Sequence, residues 1–159
     1  MDEEILTFYL NEQLFGIKII AVKEIIRKSF YDKIAGSKDY ILGLLNLRGQ
    51  IVTIIDLKKI IYFDKNDNKY FENNCSCIIL KKNKEFDELI GFSIDKPGEV
   101  IQVNSHEIKN VPTNIETKTK GYIEGVVETK EGTLAIISLK KIFYVDKSQI
   151  GGDFIEDYK

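Results

Sequence analysis

The 159-residue chain is 43% apolar, and its 23 basic and 25 acidic residues leave a formal net charge of −2. This much apolar material can bury a core in one domain or in two small lobes. The even charge balance argues against the basic face that binding to nucleic acid or to an anionic membrane requires, so we expect no nucleic-acid partner.

The cellular location is predicted from signals that the sequence lacks. Residues 1–4 are mostly acidic and no apolar leader follows them, so we expect no signal peptide. No apolar run approaches the ~18–20 residues that span a bilayer. Two cysteines do not make a disulfide framework. These observations predict a cytoplasmic protein without direct membrane insertion.

An alternation with a period of two dominates the chain from its start, which is typical of strands that bury one face. Residues 6–10 and 15–19 alternate in this way, and apolar or β-branched runs follow at 51–55 and 77–80. Single glycines separate these segments, as short strands with tight turns require. The pattern predicts an all-β protein with many short strands, and therefore a barrel or a sandwich.

The second half of the chain repeats the first at nearly constant spacing. The pairs 82 residues apart are 40–45 with 122–127 and 57–61 with 139–143, and those 75 apart are 15–19 with 90–94 and Glu24 with Glu99. Turn glycines at 49 and 132 lie between the matched ends, displaced by one residue. We interpret the chain as two copies of one small β unit.

Each copy is predicted to end in a helical turn. Asp56 and Ser138 are equivalent in the repeat, and both are good N-cap residues because their side chains can accept hydrogen bonds from free N–H groups. Short helical turns are therefore predicted at Leu57–Tyr62 and Leu139–Tyr144.

Residues that catalysis or metal binding would use are scarce. His106 is the single histidine, in a polar stretch where a general base is the alternative to a solvated loop residue. Cys75 and Cys77 lie two apart on a predicted strand, and with His106 they make three possible ligands where a zinc site needs about four. A redox pair of these cysteines is the alternative to small strand residues. We expect no catalytic residue, no metal and no cofactor.

One segment carries a specific signature. In residues 40–57 a glycine and two apolar residues precede Asn46-Leu47-Arg48-Gly49, and an apolar strand then leads to Asp-Leu. This segment resembles the signature of the CheW domain. Other elements of that family occur in the family's order along the chain, at 15–25 before this segment and at 91–100 and 121–139 after it. The resemblance therefore covers about residues 4–145.

The resemblance implies a single CheW-like domain, over residues 1–159, of two SH3-like five-stranded β-barrel lobes packed on a shared core. This agrees with the repeat. Lobe 1 is expected at about 12–74 and lobe 2 at about 75–147, with the strand at 4–11 as a candidate addition to lobe 2. A flexible tail is expected at 148–159.

The resemblance also implies a function. It is that of a non-enzymatic scaffold coupling methyl-accepting chemoreceptors to a CheA-type histidine kinase in bacterial chemotaxis. The expected partners are the kinase regulatory domain and the cytoplasmic tip of the chemoreceptor, at membrane-associated receptor arrays. Self-association in array rings is left open. The alternative is a CheW-like adaptor of a divergent sensory system, which modulates an existing receptor–kinase array.

Individual residues can be matched to family positions. Glu24 and Arg48 match positions that face each other near the receptor groove, although Arg48 as a simple hairpin-turn residue is the alternative. The receptor-binding candidates are Glu24, Arg48, Ile19 and Val22, and the kinase-binding candidates are Gly43 and Gly49. Many family members have prolines at positions equivalent to residues 34–37, and their lack here bears on partner choice.

Overall fold

The computed structural model describes residues 2–62, 74–82, 88–113 and 121–144. Within these ranges the chain forms ten strands, two short helices and two 3₁₀ turns, at Ile19–Ala21 and Ser105–Glu107. The strands are β1 (Asp2–Leu10), β2 (Gln13–Lys18), β3 (Val22–Phe30), β4 (Ile41–Leu47), β5 (Gln50–Asp56), β6 (Asn74–Leu80), β7 (Leu89–Ile94), β8 (Lys96–Asn104), β9 (Ile123–Thr129) and β10 (Gly132–Ile137). The helices are α1 (Leu57–Tyr62) and α2 (Leu139–Tyr144). Neither helix has the length that a membrane span requires.

The strands form two five-stranded sheets in which equivalent strands have the same arrangement. The strand order is β8-β1-β2-β10-β9 in one sheet and β3-β6-β7-β5-β4 in the other. Each sheet contains one parallel pair, β2 with β10 and β7 with β5, and these are equivalent strands of the sequence repeat. The predicted all-β fold and its duplication are therefore confirmed.

Each sheet closes through a backbone bridge that lies just beyond one of its outer strands. Asp32 follows β3 and exchanges two hydrogen bonds with Leu44 of β4, at 2.8 and 2.9 Å. Lys109 follows β8 and exchanges two with Val126 of β9, both at 2.9 Å. Because β3 and β4 are opposite edges of one sheet, and β8 and β9 of the other, these bridges close both sheets into small barrels. These are the expected SH3-like lobes.

The chain divides into two compact units that do not follow the expected lobe boundaries. One is continuous, residues 21–97, and the other is split, residues 1–20 with 98–159. The boundary between the two lobes was expected at residues 74/75. Instead β6 pairs with β3 and β7 pairs with β5, so both strands belong to the continuous unit. The split unit contains β1 in the same sheet as β9 and β10. A shared core stays a prediction, and residues 148–159 lie outside the described residues.

Each unit has its own buried apolar cluster, to which several strands contribute every second residue. The cluster of the continuous unit is Tyr31, Leu45, Leu47, Val52, Ile54, Cys77, Ile79 and Leu89. The cluster of the split unit is Ile5, Leu14, Val103, Val127, Leu134 and Ile136.

Both predicted helical turns are confirmed, with the predicted N-caps. The Asp56 side chain accepts hydrogen bonds from the backbone N–H groups of Lys58 and Lys59, at 3.1 and 3.4 Å. The Ser138 hydroxyl accepts one from the N–H of Lys141 at 3.2 Å. These bonds satisfy N–H groups that have no partner within the helix.

Helix α1 is held to the end of β7 by a buried cation. Lys58, whose side chain is 4% exposed, pairs with Asp95 at 2.6 Å. Tyr62 lies on the same helix. Burial, followed by the charge of Asp95, raises the pKa of Tyr62 from 10.0 to about 12.

The stability of the fold should therefore fall between about pH 10 and 12 in a way that depends on Tyr62. The unfolded chain releases the phenol proton near pH 10, whereas the folded chain keeps it to about pH 12. The stabilising contribution is complete below about pH 10 and is lost as the pH rises through the folded pKa. Chemical denaturation across this interval should show a smaller loss of unfolding free energy in Tyr62→Phe than in wild type. Equal losses would contradict the assignment.

Candidate functional site

The hairpin of β4 and β5 turns on two residues, Arg48 and Gly49. Leu47 pairs with Gln50 at the base of the turn, and φ is 50° at Arg48 and 85° at Gly49. Two successive positive φ values define a type I′ turn, which suits the right-handed twist of the two strands. Glycine adopts such angles freely, whereas an ordinary residue in this region is uncommon. The turn thus places a long cationic side chain at a hairpin tip.

Glu24 reaches this tip from β3. Val22 pairs with Leu80 and Glu24 pairs with Ile79, so Lys23 is the extra residue of a β-bulge. Bulges re-aim side chains and increase the local twist of a strand. The Lys23 ammonium donates to the Gln50 side chain at 3.4 Å, which gives β3 a second contact with the hairpin.

Arg48 and Glu24 form an ion pair through Nη2 and Oε1. The Arg48 side chain is 68% exposed and that of Glu24 is 26% exposed, and a pair this accessible to water adds only about 0–1 kcal/mol to stability. Its main effect is geometric, because the carboxylate fixes one side of a planar guanidinium that carries five N–H donors. The expected proximity of these two residues is therefore observed.

The other two receptor-binding candidates, Val22 and Ile19, are less exposed than Arg48. Val22 is only 8% exposed, so its side chain offers little surface to a partner. Ile19 is half-buried in the first 3₁₀ turn and belongs to the split unit. The neighbouring Ile20 is 75% exposed, and sequence analysis missed it because strand alternation does not apply within a 3₁₀ turn.

Gly43 lies where two segments of the continuous unit approach closely. A Cβ atom at this position would collide with the carbonyl oxygen of Asp32 and would lie 2.8 Å from the Tyr31 ring. Gly125 occupies the equivalent position in the split unit, close to Ile108 and the carbonyl of Lys109. The structure thus gives Gly43 a role in barrel closure, and its assignment to kinase binding stays a prediction, as does that of Gly49.

Phe30 and Ile51 are the two most exposed large apolar side chains in the described part of the continuous unit, and sequence analysis missed both. Phe30 at the end of β3 is 68% exposed, and Ile51 near the start of β5 is 55% exposed. The apolar run at 51–55 suggested a buried strand, but Ile51 lies on the outer face opposite Asn46. Exposed apolar side chains of this size mark candidate docking surfaces.

The scarce reactive residues have local structural explanations. His106 lies in the 3₁₀ turn Ser105–Glu107, where its N–H donates to the Asn104 side chain at 3.0 Å as part of a capping box. Cys77 belongs to the buried cluster of the continuous unit, whereas the side chain of Cys75 lies outside the described residues. No group of three His, Cys, Asp or Glu side chains suited to a metal ion occurs in the described part of the chain.

Comparison with known proteins gives consistent matches over most of the chain. The family model described as the CheW-like domain matches residues 4–147. The chemotaxis protein CheW of Treponema pallidum is 30% identical over 88% of this chain and 81% of its own length. The chemotaxis protein CheW of Bacillus subtilis is 27% identical over 92% of this chain and 90% of its own.

A solved structure shares the fold. It is described as the crystal structure of scaffolding protein TtCheW from Thermoanaerobacter tengcongensis, and it superposes with a TM-score of 0.73. The two chains are 29% identical, and the match covers 92% of this chain and 95% of that chain.

Proposed function

The chain belongs to the CheW-like domain family of chemotaxis coupling proteins, and from this premise we propose that it joins chemoreceptors to a CheA-type histidine kinase. It acts as a non-enzymatic scaffold with two docking faces. One face binds the cytoplasmic tip of a chemoreceptor, and the other binds the regulatory domain of the kinase.

The observation that carries the proposal is the family match over residues 4–147, within which Arg48 is held at a hairpin tip against Glu24. A partly exposed guanidinium with one side fixed presents its remaining donors as a rigid fork. Such a fork suits carboxylate and carbonyl oxygens, which a helical receptor tip can offer at its surface. We assign Glu24 and Arg48 to receptor binding, and the same assignment includes Ile19 and Val22.

The proposed kinase-binding residues lie on the same β4–β5 hairpin that carries Arg48 at its tip. Gly43 and Gly49 belong to this hairpin, and so does the exposed Ile51. Phe30 adds a second exposed apolar side chain at the end of β3. Apolar side chains that remain in water in the isolated protein favour a protein partner here.

These partners imply a location on the cytoplasmic side of the membrane, at receptor arrays. Self-association in array rings is a separate prediction, and sedimentation of the chain alone over a range of concentrations would test it.

Binding of purified components tests the proposal. The full chain should be retained by an immobilised kinase regulatory domain and, separately, by a receptor cytoplasmic fragment. Addition of the chain to both together should raise the amount of kinase domain recovered with the receptor fragment. Buffer without the chain is the control for direct contact between those two. Failure of the chain to bind either partner would refute the scaffold function.

A further inference from the structure

The turn that carries Arg48 differs from the matched turn of the split unit. Among the described residues that are not glycine, φ is positive only at Asn11, Glu12 and Arg48. In the β9–β10 hairpin the residues of the turn are Lys130 and Glu131, and positive φ occurs instead at Gly132. The equivalent hairpin of the split unit therefore forms without a long side chain in the left-handed region, whereas the β4–β5 hairpin places Arg48 there.

One side chain holds the first turn. The Asn46 carboxamide oxygen accepts a hydrogen bond from the backbone N–H of Gly49 at 2.9 Å. Asn46 is exposed, so burial does not explain its type. A short amide side chain of this kind can bond to a nearby backbone group and stabilise a turn.

The second hairpin uses other groups at the equivalent positions. Glu128 corresponds to Asn46, and its carboxylate accepts from the Thr133 hydroxyl at 2.7 Å. The Thr129 hydroxyl holds that turn, donating to the Gly132 carbonyl at 2.8 Å and accepting from the N–H of Glu131 at 3.2 Å. Of these two hairpins, only the one that bears Arg48 has a hydrogen bond from a turn N–H, that of Gly49, to the side chain at the position of Asn46.

We infer that Asn46 is a positioning residue, which fixes the backbone at Arg48 and so directs the guanidinium to Glu24 and to the partner. The direction of the Cα–Cβ bond depends on φ, and a turn that relaxes to negative φ would point Arg48 elsewhere. Asn46 then acts on the partner only through Arg48. The inference rests on the proposed receptor face, but its first test needs no receptor.

Nuclear magnetic resonance of the free full-length protein tests the geometry. A strong intraresidue contact between Hα and HN reports positive φ at Arg48, and contacts between the side chains of Arg48 and Glu24 report the pairing. Asn46→Ala should lose both signals, whereas Asn46→Asp, which keeps the acceptor oxygen, should retain them. Retention of both signals in Asn46→Ala would overturn the inference.

Binding to the receptor fragment tests the consequence. Asn46→Ala should weaken binding by about three- to tenfold, the factor expected for one lost hydrogen bond. In an Arg48→Ala background the same change should have no further effect, because the two residues act as one unit. An undiminished effect in that background would overturn the inference.

Glu128→Ala is the matched control on the other hairpin. It also removes an acceptor from an exposed turn, and it should leave the Arg48 signals and receptor binding unchanged. Absence of receptor binding by the wild type would count against the proposed function, while the resonance experiment would still decide the role of Asn46.

Discussion

Arg48→Glu should weaken binding of the receptor fragment by at least about tenfold while leaving the thermal melt nearly unchanged. The substitution removes the guanidinium fork and places a second carboxylate beside Glu24, so the two side chains repel each other. Like charges brought together at an interface are costly to binding. Folding is affected little, because an exposed ion pair contributes only about 0–1 kcal/mol.

Lys130→Glu is the matched control for this experiment. Lys130 is equivalent to Arg48 in the sequence repeat and lies exposed in the β9–β10 turn, and its reversal changes the net charge by the same amount. Isothermal titration calorimetry would compare the two variants with the wild type. Equal binding by Arg48→Glu and wild type would remove Arg48 from the receptor face, and an equal loss in Lys130→Glu would indicate a general charge effect.

Gly43→Ala should lower the free energy of unfolding by about 2–3 kcal/mol, the upper range for an added methyl group in a packed site. The new methyl would meet the carbonyl of Asp32 and the Tyr31 ring. Backbone atoms cannot rotate away, so relief requires that Asp32 move from Leu44. The two hydrogen bonds that close this barrel would then lengthen. Denaturation by urea gives the free energy, and amide hydrogen exchange at Leu44 reports the bridge.

Gly125→Ala provides the matched comparison. Its methyl would meet the Cγ2 methyl of the Ile108 side chain and would lie 3.0 Å from the carbonyl of Lys109. The crowding is smaller and partly with movable atoms, so the loss of stability should be smaller than at Gly43. A melting temperature of Gly43→Ala equal to that of the wild type would contradict the role of Gly43 in barrel closure. Weaker kinase binding by a variant that remains stable would instead support the kinase assignment of Gly43.

The elements of the repeat could be predicted from the sequence because their signals are local. The N-cap residues Asp56 and Ser138 mark both helix starts, and a single spacing of 82 residues relates α1 to α2. The approach of Arg48 to Glu24 came from the family resemblance, since residues far apart in sequence carry no periodic signal for their contact. The positive φ at Arg48 could not be anticipated, because the residue type argues against it.

The lobe boundaries could not be predicted because strand periodicity tells which face is buried but not which strand is the neighbour. β6 carries an apolar run that would suit many buried strands, and its pairing with β3 appears only in the sheet. The same limit explains why the exposure of Ile51 could not be predicted. An apolar residue in a β-branched run fits a core or a docking surface equally well, and only the pairing with Asn46 places it outside.

The division of the chain at residues 20/21 and 97/98 sets the order in which its parts can fold during synthesis. Every strand of the continuous unit has left the ribosome once residue 97 is free, so this barrel can close before β9 and β10 are made. β1 and β2 are made before the continuous unit, yet their remaining sheet partners β8, β9 and β10 follow it in the chain. The barrel of the split unit can therefore be completed only after the strands of the continuous unit have been made.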